Sequence, residues 1–201
     1  MAYAYHVFTC RHAPLTLGPE VQRVLAAAYA EPQRAYHTAA HITEVLAWFD
    51  VVAGTVGWRA PADVYLAVVF HDAVYAPTRT DNEARSAALA QELAGASART
   101  AELIRLTAEH GKLDGATLDH DAAHFLDSDT AILGAPAAAF AAYDAAIAVE
   151  YAHVPPELYR AGRRGFLAGM LARPRIFFTE LFHARLDAAA RANLARALAQ
   201  P

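Results

Sequence analysis

The stretch FHDAVY, residues 70–75, sets an imidazole and a carboxylate side by side, His71 and Asp72, inside an otherwise apolar run. Ionisable side chains are rarely buried unless they are paired or bound to a metal. Two other places break the apolar pattern. In YHTAAHI, His37 and His41 stand four apart, which on a helix puts both rings on one face, about 5–6 Å apart at Cβ. In HDAAHFLDSDTAILG, the carboxylates are Asp121, Asp127 and Asp129. For Asp127 the plainer reading is a helix-start residue that interacts with the helix dipole; for Asp129 that reading is weaker. A buried pair that only hydrogen-bonds to other helices accounts equally well for His71 and Asp72. Together the three places supply imidazole, imidazole plus carboxylate, then carboxylate, from three separate helices. Such mixed nitrogen and oxygen ligation suits one divalent ion, Mn, Fe, Zn, Co or Mg. A cation also turns a desolvated carboxylate from a cost into a ligand.

The elements that must position these groups all read as helices. Apolar periodicity predicts helices over residues 21–30, 37–52, 62–75 and 82–93, the last with Asp81 as N-cap. It predicts further helices over 98–110, ending at Gly111, and 122–133, ending at Gly134. Three more cover 137–151, 157–171 and 175–199, with prolines in the gaps. Strand alternation is confined to AYAYHVF, residues 2–8, which reads equally as the run-in to a helix. The expected fold is all-α, a single-domain helical bundle over residues 1–201. Its motif-bearing core covers about 31–134, and C-terminal helices over 136–200 pack on it.

Composition narrows the function classes. Of 201 residues, 56% are hydrophobic and 19% charged, which excludes a disordered chain. A formal net charge of -4 gives no electrostatic basis for nucleic-acid binding. The single Cys10 excludes an internal disulfide and a cysteine-rich zinc site, and suits a reducing cytoplasm. No signal-like start and no apolar run approaching 18 residues suggest a membrane partner.

The order His, His-Asp, Asp on successive helices resembles the HD-domain superfamily of metal-dependent phosphohydrolases. More narrowly, it is similar to a group of small bacterial proteins described as predicted metal-dependent HD phosphohydrolases. The matching pieces are EPQRAYHTAAHI, FHDAVY, DNEARSA, FLDSDTAILG and ARPRIFFT with ARANL, which together span most of the chain. The resemblance implies an HD-type helical domain whose metal ligands are His41, His71, Asp72 and Asp129, with Asp127 as rival to Asp129. It places Asn82, Glu83 and Ser86 near the site, and His110 where some members hold a second metal. His120 and His124 match such positions loosely, and one metal is favoured. Many HD proteins carry a lysine soon after the doublet, whereas the only lysine here is Lys112. A general acid would then come from His37, Glu83 or water.

The function implied is hydrolysis of a phosphate ester or anhydride on a small molecule, a nucleotide among the candidates, by a water activated at the metal. Asp72, or Asp129 if partly free, would accept the proton. Arg34, Arg85, Asn82 and His110 would contact the substrate, the two arginines bidentately. Alternatives from other classes are a metal- or nucleotide-binding sensor without turnover, a metal-dependent hydrolase of a non-phosphorylated molecule, and a helical scaffold with structural histidines. Expected partners are a small phosphorylated substrate and, as an open option, further copies in a homo-oligomer.

Overall fold

In the computed structural model, which describes residues 8–200, every regular element is helical. Residues 2–7 of the ambiguous N-terminal stretch lie outside the described part. Helices α1 (Pro19–Ala28), α3 (Pro61–Phe70) and α8 (Pro156–Ala172) each begin with proline. There its missing N–H costs nothing and its fixed φ already suits a helix. Helix α2 (Ala39–Thr55) buries His41, Ile42, Val45, Leu46, Phe49 and Val52, one apolar stripe that includes an imidazole. Helix α3 buries every residue from Val64 to Phe70 because α2, α4 (Asn82–Ala94), α5 (Ala98–Leu106) and α6 (His120–Asp129) surround it. Helices α1 to α6 enclose the first core cluster.

A 3₁₀ turn, Ala131–Gly134, leads from α6 into α7 (Ala137–Glu150), α8 and α9 (Glu180–Leu198). Leu133, Phe140, Leu167, Met170, Phe177, Phe182 and Leu194 form a second cluster with Val52 of α2, and Trp58 packs against both clusters. Gly134 is fixed by close approach: a Cβ there would lie 2.6 Å from Leu186 Cβ and 2.9 Å from Leu186 O of α9. Asn193 Nδ2 donates to Leu133 O and Ala135 O, which ties the same turn to α9. None of the described helices is long and apolar enough to cross a membrane.

Three helix starts are held by carboxylates from other helices. Asp121 of α6 accepts from Arg59 N at 2.9 Å and Ala60 N at 2.7 Å, just before α3. Asp127 accepts from Phe178 N, Thr179 N and Thr179 Oγ1 at 2.7–2.8 Å, just before α9. Glu150, at the end of α7, accepts from Ala35 N, Tyr36 N and His37 N at 2.7–3.0 Å, just before α2. A carboxylate at a helix N-terminus satisfies orphan donors and complements the dipole.

The Asp127 clasp accounts for one place where the observed helices depart from the apolar pattern, and other contacts for the rest. The helix expected over 175–199 begins only at Glu180, because Ile176 N bonds to Asp187 and the next amides go to Asp127. The helix expected over 62–75 stops at Phe70. Its terminal carbonyls are taken from outside: Tyr29 Oη donates to Val69 O, and the Arg34 guanidinium to Asp72 O and Ala73 O. The helix expected over 98–110 ends at Leu106 and continues as a short 3₁₀ turn. Removing the Asp127 clasp leaves buried amides without an acceptor. Asp127→Ala should therefore lower the unfolding free energy by about 3 kcal/mol, read as an earlier midpoint in urea at unchanged m-value.

Candidate metal centre

Because α3 stops at Phe70, His71 is its C-cap and Asp72 the next residue, so the doublet lies at the end of the helix and not in its middle. Asp129 is likewise the last residue of α6, and His41 the third of α2. The two carboxylates therefore stand at the negative ends of helix dipoles, where a cation is favoured and a carboxylate is not. The reading of Asp127 and Asp129 as helix-start residues does not hold, since α6 begins at His120.

Four side-chain atoms converge. His71 Nε2 lies 3.2 Å from His41 Nε2, 3.0 Å from Asp72 Oδ2 and 3.2 Å from Asp129 Oδ1. His41 Nε2 lies 3.0 Å from Asp129 Oδ1 and 3.6 Å from Asp72 Oδ2. Ligands about 2.1 Å from one ion stand about 3.0 Å apart at octahedral angles and about 3.4 Å apart at tetrahedral ones, so these separations fit a shared cation. The group His41, His71 and Asp72 can hold a metal ion, and Asp129 adjoins it through both imidazoles. Both histidines are almost fully buried, while Asp72 and Asp129 keep 16% and 18% side-chain exposure, enough for water or substrate to reach them.

Hydrogen bonding behind the cluster orients it. His71 Nδ1 lies 2.9 Å from Val68 O, and donation there leaves Nε2 as the atom facing the centre. The His41 ring is steadied by Tyr36, whose ring centroid is 4.8 Å away, and its buried Nδ1 has no hydrogen-bond partner. Burial works against charge at Asp72, yet His71 and then His37 hold its carboxyl far below the ordinary range. Asp129 is held low in the same way, chiefly by His71 against the same cost of burial. The cluster thus presents two anionic carboxylates where a cation would sit.

The cluster opens into a cavity of about 220 Å³ walled by Tyr36, Tyr75, Tyr143, Tyr151 and Phe166, with His37, Glu83, Thr107 and Thr130 also at its surface. His37 precedes the N-cap Thr38 and is not on α2, yet its ring stays beside that of His41, with centroids 5.9 Å apart. Its Nδ1 lies 2.6 Å from Glu150 Oε2, and Tyr75 Oη donates to the same oxygen at 2.8 Å. Burial opposes protonation of His37, but Asp72 and the Glu150 hydrogen bond outweigh it and raise its pKa. Burial likewise disfavours the Glu150 anion, but its bond with His37 and the backbone donors bring its pKa down to about 2.

Several expected substrate contacts are structural instead. Arg34 is buried behind the cluster, where it donates to Asp72 O, Ala73 O and His37 O and pairs with Glu31; it does not line the cavity. Asn82 bonds to both N and O of Ala76, and Ser86 to both N and O of Val74, so they brace the loop after the doublet. Arg85 is exposed and does not line the cavity. His110 is buried 3.4 Å from Thr130 Oγ1, outside the cavity wall, and burial lowers its pKa to about 4. Asp127 faces away from the cluster in its clasp. Glu150 and the tyrosine wall were not singled out in the sequence; a glutamate ending an alanine-rich helix carries no signal of a partner 113 residues earlier.

No protein-family model, curated protein or solved structure matches this chain.

Two outcomes follow from this geometry. Asp129→Ala should lose most of the bound divalent metal in elemental analysis, whereas Asp127→Ala, folded at low temperature, should keep it; the reverse would place the ligand in the clasp. Since the depressed Glu150 carboxyl stabilises the fold when ionised, its contribution is complete above about pH 4.5 and is lost as pH falls toward 2. Glu150→Gln should accordingly be less stable than the parent near neutral pH, and the difference should close on acidification, as followed by circular dichroism.

Proposed function

We propose that this protein is a cytoplasmic metal-dependent phosphohydrolase of the HD type, acting on a small phosphorylated molecule with one divalent ion. The observation that carries this reading is the convergence of His41, His71, Asp72 and Asp129 at 3.0–3.6 Å beside a cavity, in the chain order of the resemblance. Two nitrogen and two oxygen ligands suit Mn, Fe, Co or Zn, with Mg the least favoured by imidazole. When bound, such an ion lowers the pKa of a water and polarises a phosphoryl oxygen.

The remaining roles belong to the chain. Asp72, anionic and partly open to the cavity, accepts the proton of the attacking water. His37, fixed through Nδ1 by Glu150, turns Nε2 to the substrate and protonates the leaving oxygen, the role of the lysine absent after the doublet. Tyr36 lines the cavity and its Oη is buried without a hydrogen-bond partner, which supports a role as donor to a substrate oxygen. Glu83 on the same wall is the alternative acid.

One observation favours a second reading. Among the described residues, no arginine or lysine lines the cavity, so any phosphate would depend on the metal and His37 for charge. This suits a hydrolase of a neutral or singly charged substrate, and tells against a polyphosphate.

A panel of phosphorylated metabolites assayed with Mn and Co should reveal hydrolysis that a chelator abolishes and added metal restores. No turnover of any member by metal-loaded protein would overturn the phosphohydrolase reading, and turnover of a non-phosphorylated ester would support the second. His37→Ala should keep its metal while kcat falls about 10²–10⁴-fold, most for poor leaving groups. A parallel loss of metal would make His37 a ligand.

A further inference from the structure

One hollow outside the candidate metal cavity is larger than it. A trench of about 380 Å³ lies between α7, α8 and α9, within the range of small-molecule sites. Its origin is legible in α7. Ala137, Ala141, Ala145 and Ala148 recur at helical spacing along the face turned to the trench, where a packed bundle would place larger side chains. Phe140 and Leu167, both buried, give the trench an apolar floor.

The opposite wall is cationic. Arg160, Arg163 and Arg164 of α8 and Arg196 of α9 all line it, against a single lining carboxylate, Asp144. Four of the chain's arginines thus share one hollow in a protein whose formal net charge is -4. Arg160 is paired with Glu157. Arg163 is pre-positioned: its Nε donates to Asp144 at 2.8 Å, and its guanidinium lies over the rings of Tyr143 and Phe166 at 5.0 and 5.1 Å. Arg164 and Arg196 have no carboxylate partner among the described residues. Arg164 Nη1 donates to the backbone oxygens of Leu198 and Gln200, and Arg196 Nη1 to Asn193 Oδ1. These bonds hold both guanidiniums in place and leave further N–H groups and both charges uncompensated. Pro136 gives the first turn of α7 no side-chain cap, which adds unsatisfied amides at the end where Ala137 lines the trench.

We propose that this trench is a second binding site, for a small organic anion whose apolar body lies along the alanine face. Its phosphate, sulfonate or carboxylate head is taken by Arg163, Arg164 and Arg196. Guanidinium groups recognise such heads bidentately, and a slender body replaces water over alanine and leucine carbons. The site is independent of the metal cluster, since none of its lining residues is a metal ligand.

The probe is 8-anilinonaphthalene-1-sulfonate, an aromatic body with one sulfonate, titrated into the full chain and followed by fluorescence. The expected result is saturable binding of one equivalent that weakens as salt rises. The R164A/R196A double variant should bind at least tenfold more weakly. So should Ala145→Leu, which fills the trench at an exposed position and leaves the charges in place. Both variants should keep the parent's thermal midpoint and metal content. Displacement by phenyl phosphate or by hexanoate then distinguishes a phosphate-bearing from a carboxylate-bearing natural ligand. Undiminished binding to both variants, or no saturable binding to the parent, would overturn the proposal.

Discussion

Two carboxylates at the C-terminal ends of two helices each stand within 3.6 Å of both of two imidazoles, and this crowding is the constraint around which the first core is arranged. Left to itself each carboxylate would repel the other and the carbonyl ends of α3 and α6 behind it. A positive charge at the centre reverses every one of those terms, so the burial that would be a liability in an apo-like core becomes a reason for cation affinity. Arg34 contributes from the rear. By taking the carbonyls of Asp72 and Ala73 it neutralises the end of α3 and fixes the turn that swings His71 and Asp72 toward one point.

The same economy recurs through the fold. Asp121, Asp127 and Glu150 each reach from one helix to the amides that open another, so that α6 and α7 determine where α2, α3 and α9 begin. Short-range caps do part of this work elsewhere, as Ser97 does for α5. The long-range versions do more, because they fix the position of a helix start relative to a distant element as well as satisfying its donors. Glu150 also fixes His37 and Tyr75, so one carboxylate sets both the entry of α2 and two groups of the cavity wall.

Much of the architecture could be read from residue order alone, because apolar periodicity depends only on which face a side chain occupies. The helical content and the buried character of His71 followed from that rule. Helix ends were harder. Nothing local in FHDAVYAP ends α3 at Phe70; the acceptors of Arg34 and Tyr29 do, and both donors lie about 40 residues upstream. Asp127 and Asp129 look alike in sequence, and only the direction each side chain takes from α6 separates a clasp from a cluster member. Arg34 and Asn82 were legible as residues near the site but not as its supports, since a side chain that braces a backbone and one that meets a ligand share the same chemistry.

The clasps also impose an order on assembly. His41, His71, Asp72 and Asp129 all lie within the first 129 residues, yet the amides that Asp127 grips belong to Phe178 and Thr179, and Glu150 closes on residues 113–115 positions earlier. Such closures can form only once the later helices are present, and non-local contacts of this kind form slowly. A chain emerging from the ribosome therefore holds every group of the cluster long before it can fix the spacing between them. The spacing of the cluster thus depends on helices that contribute no group of their own to it.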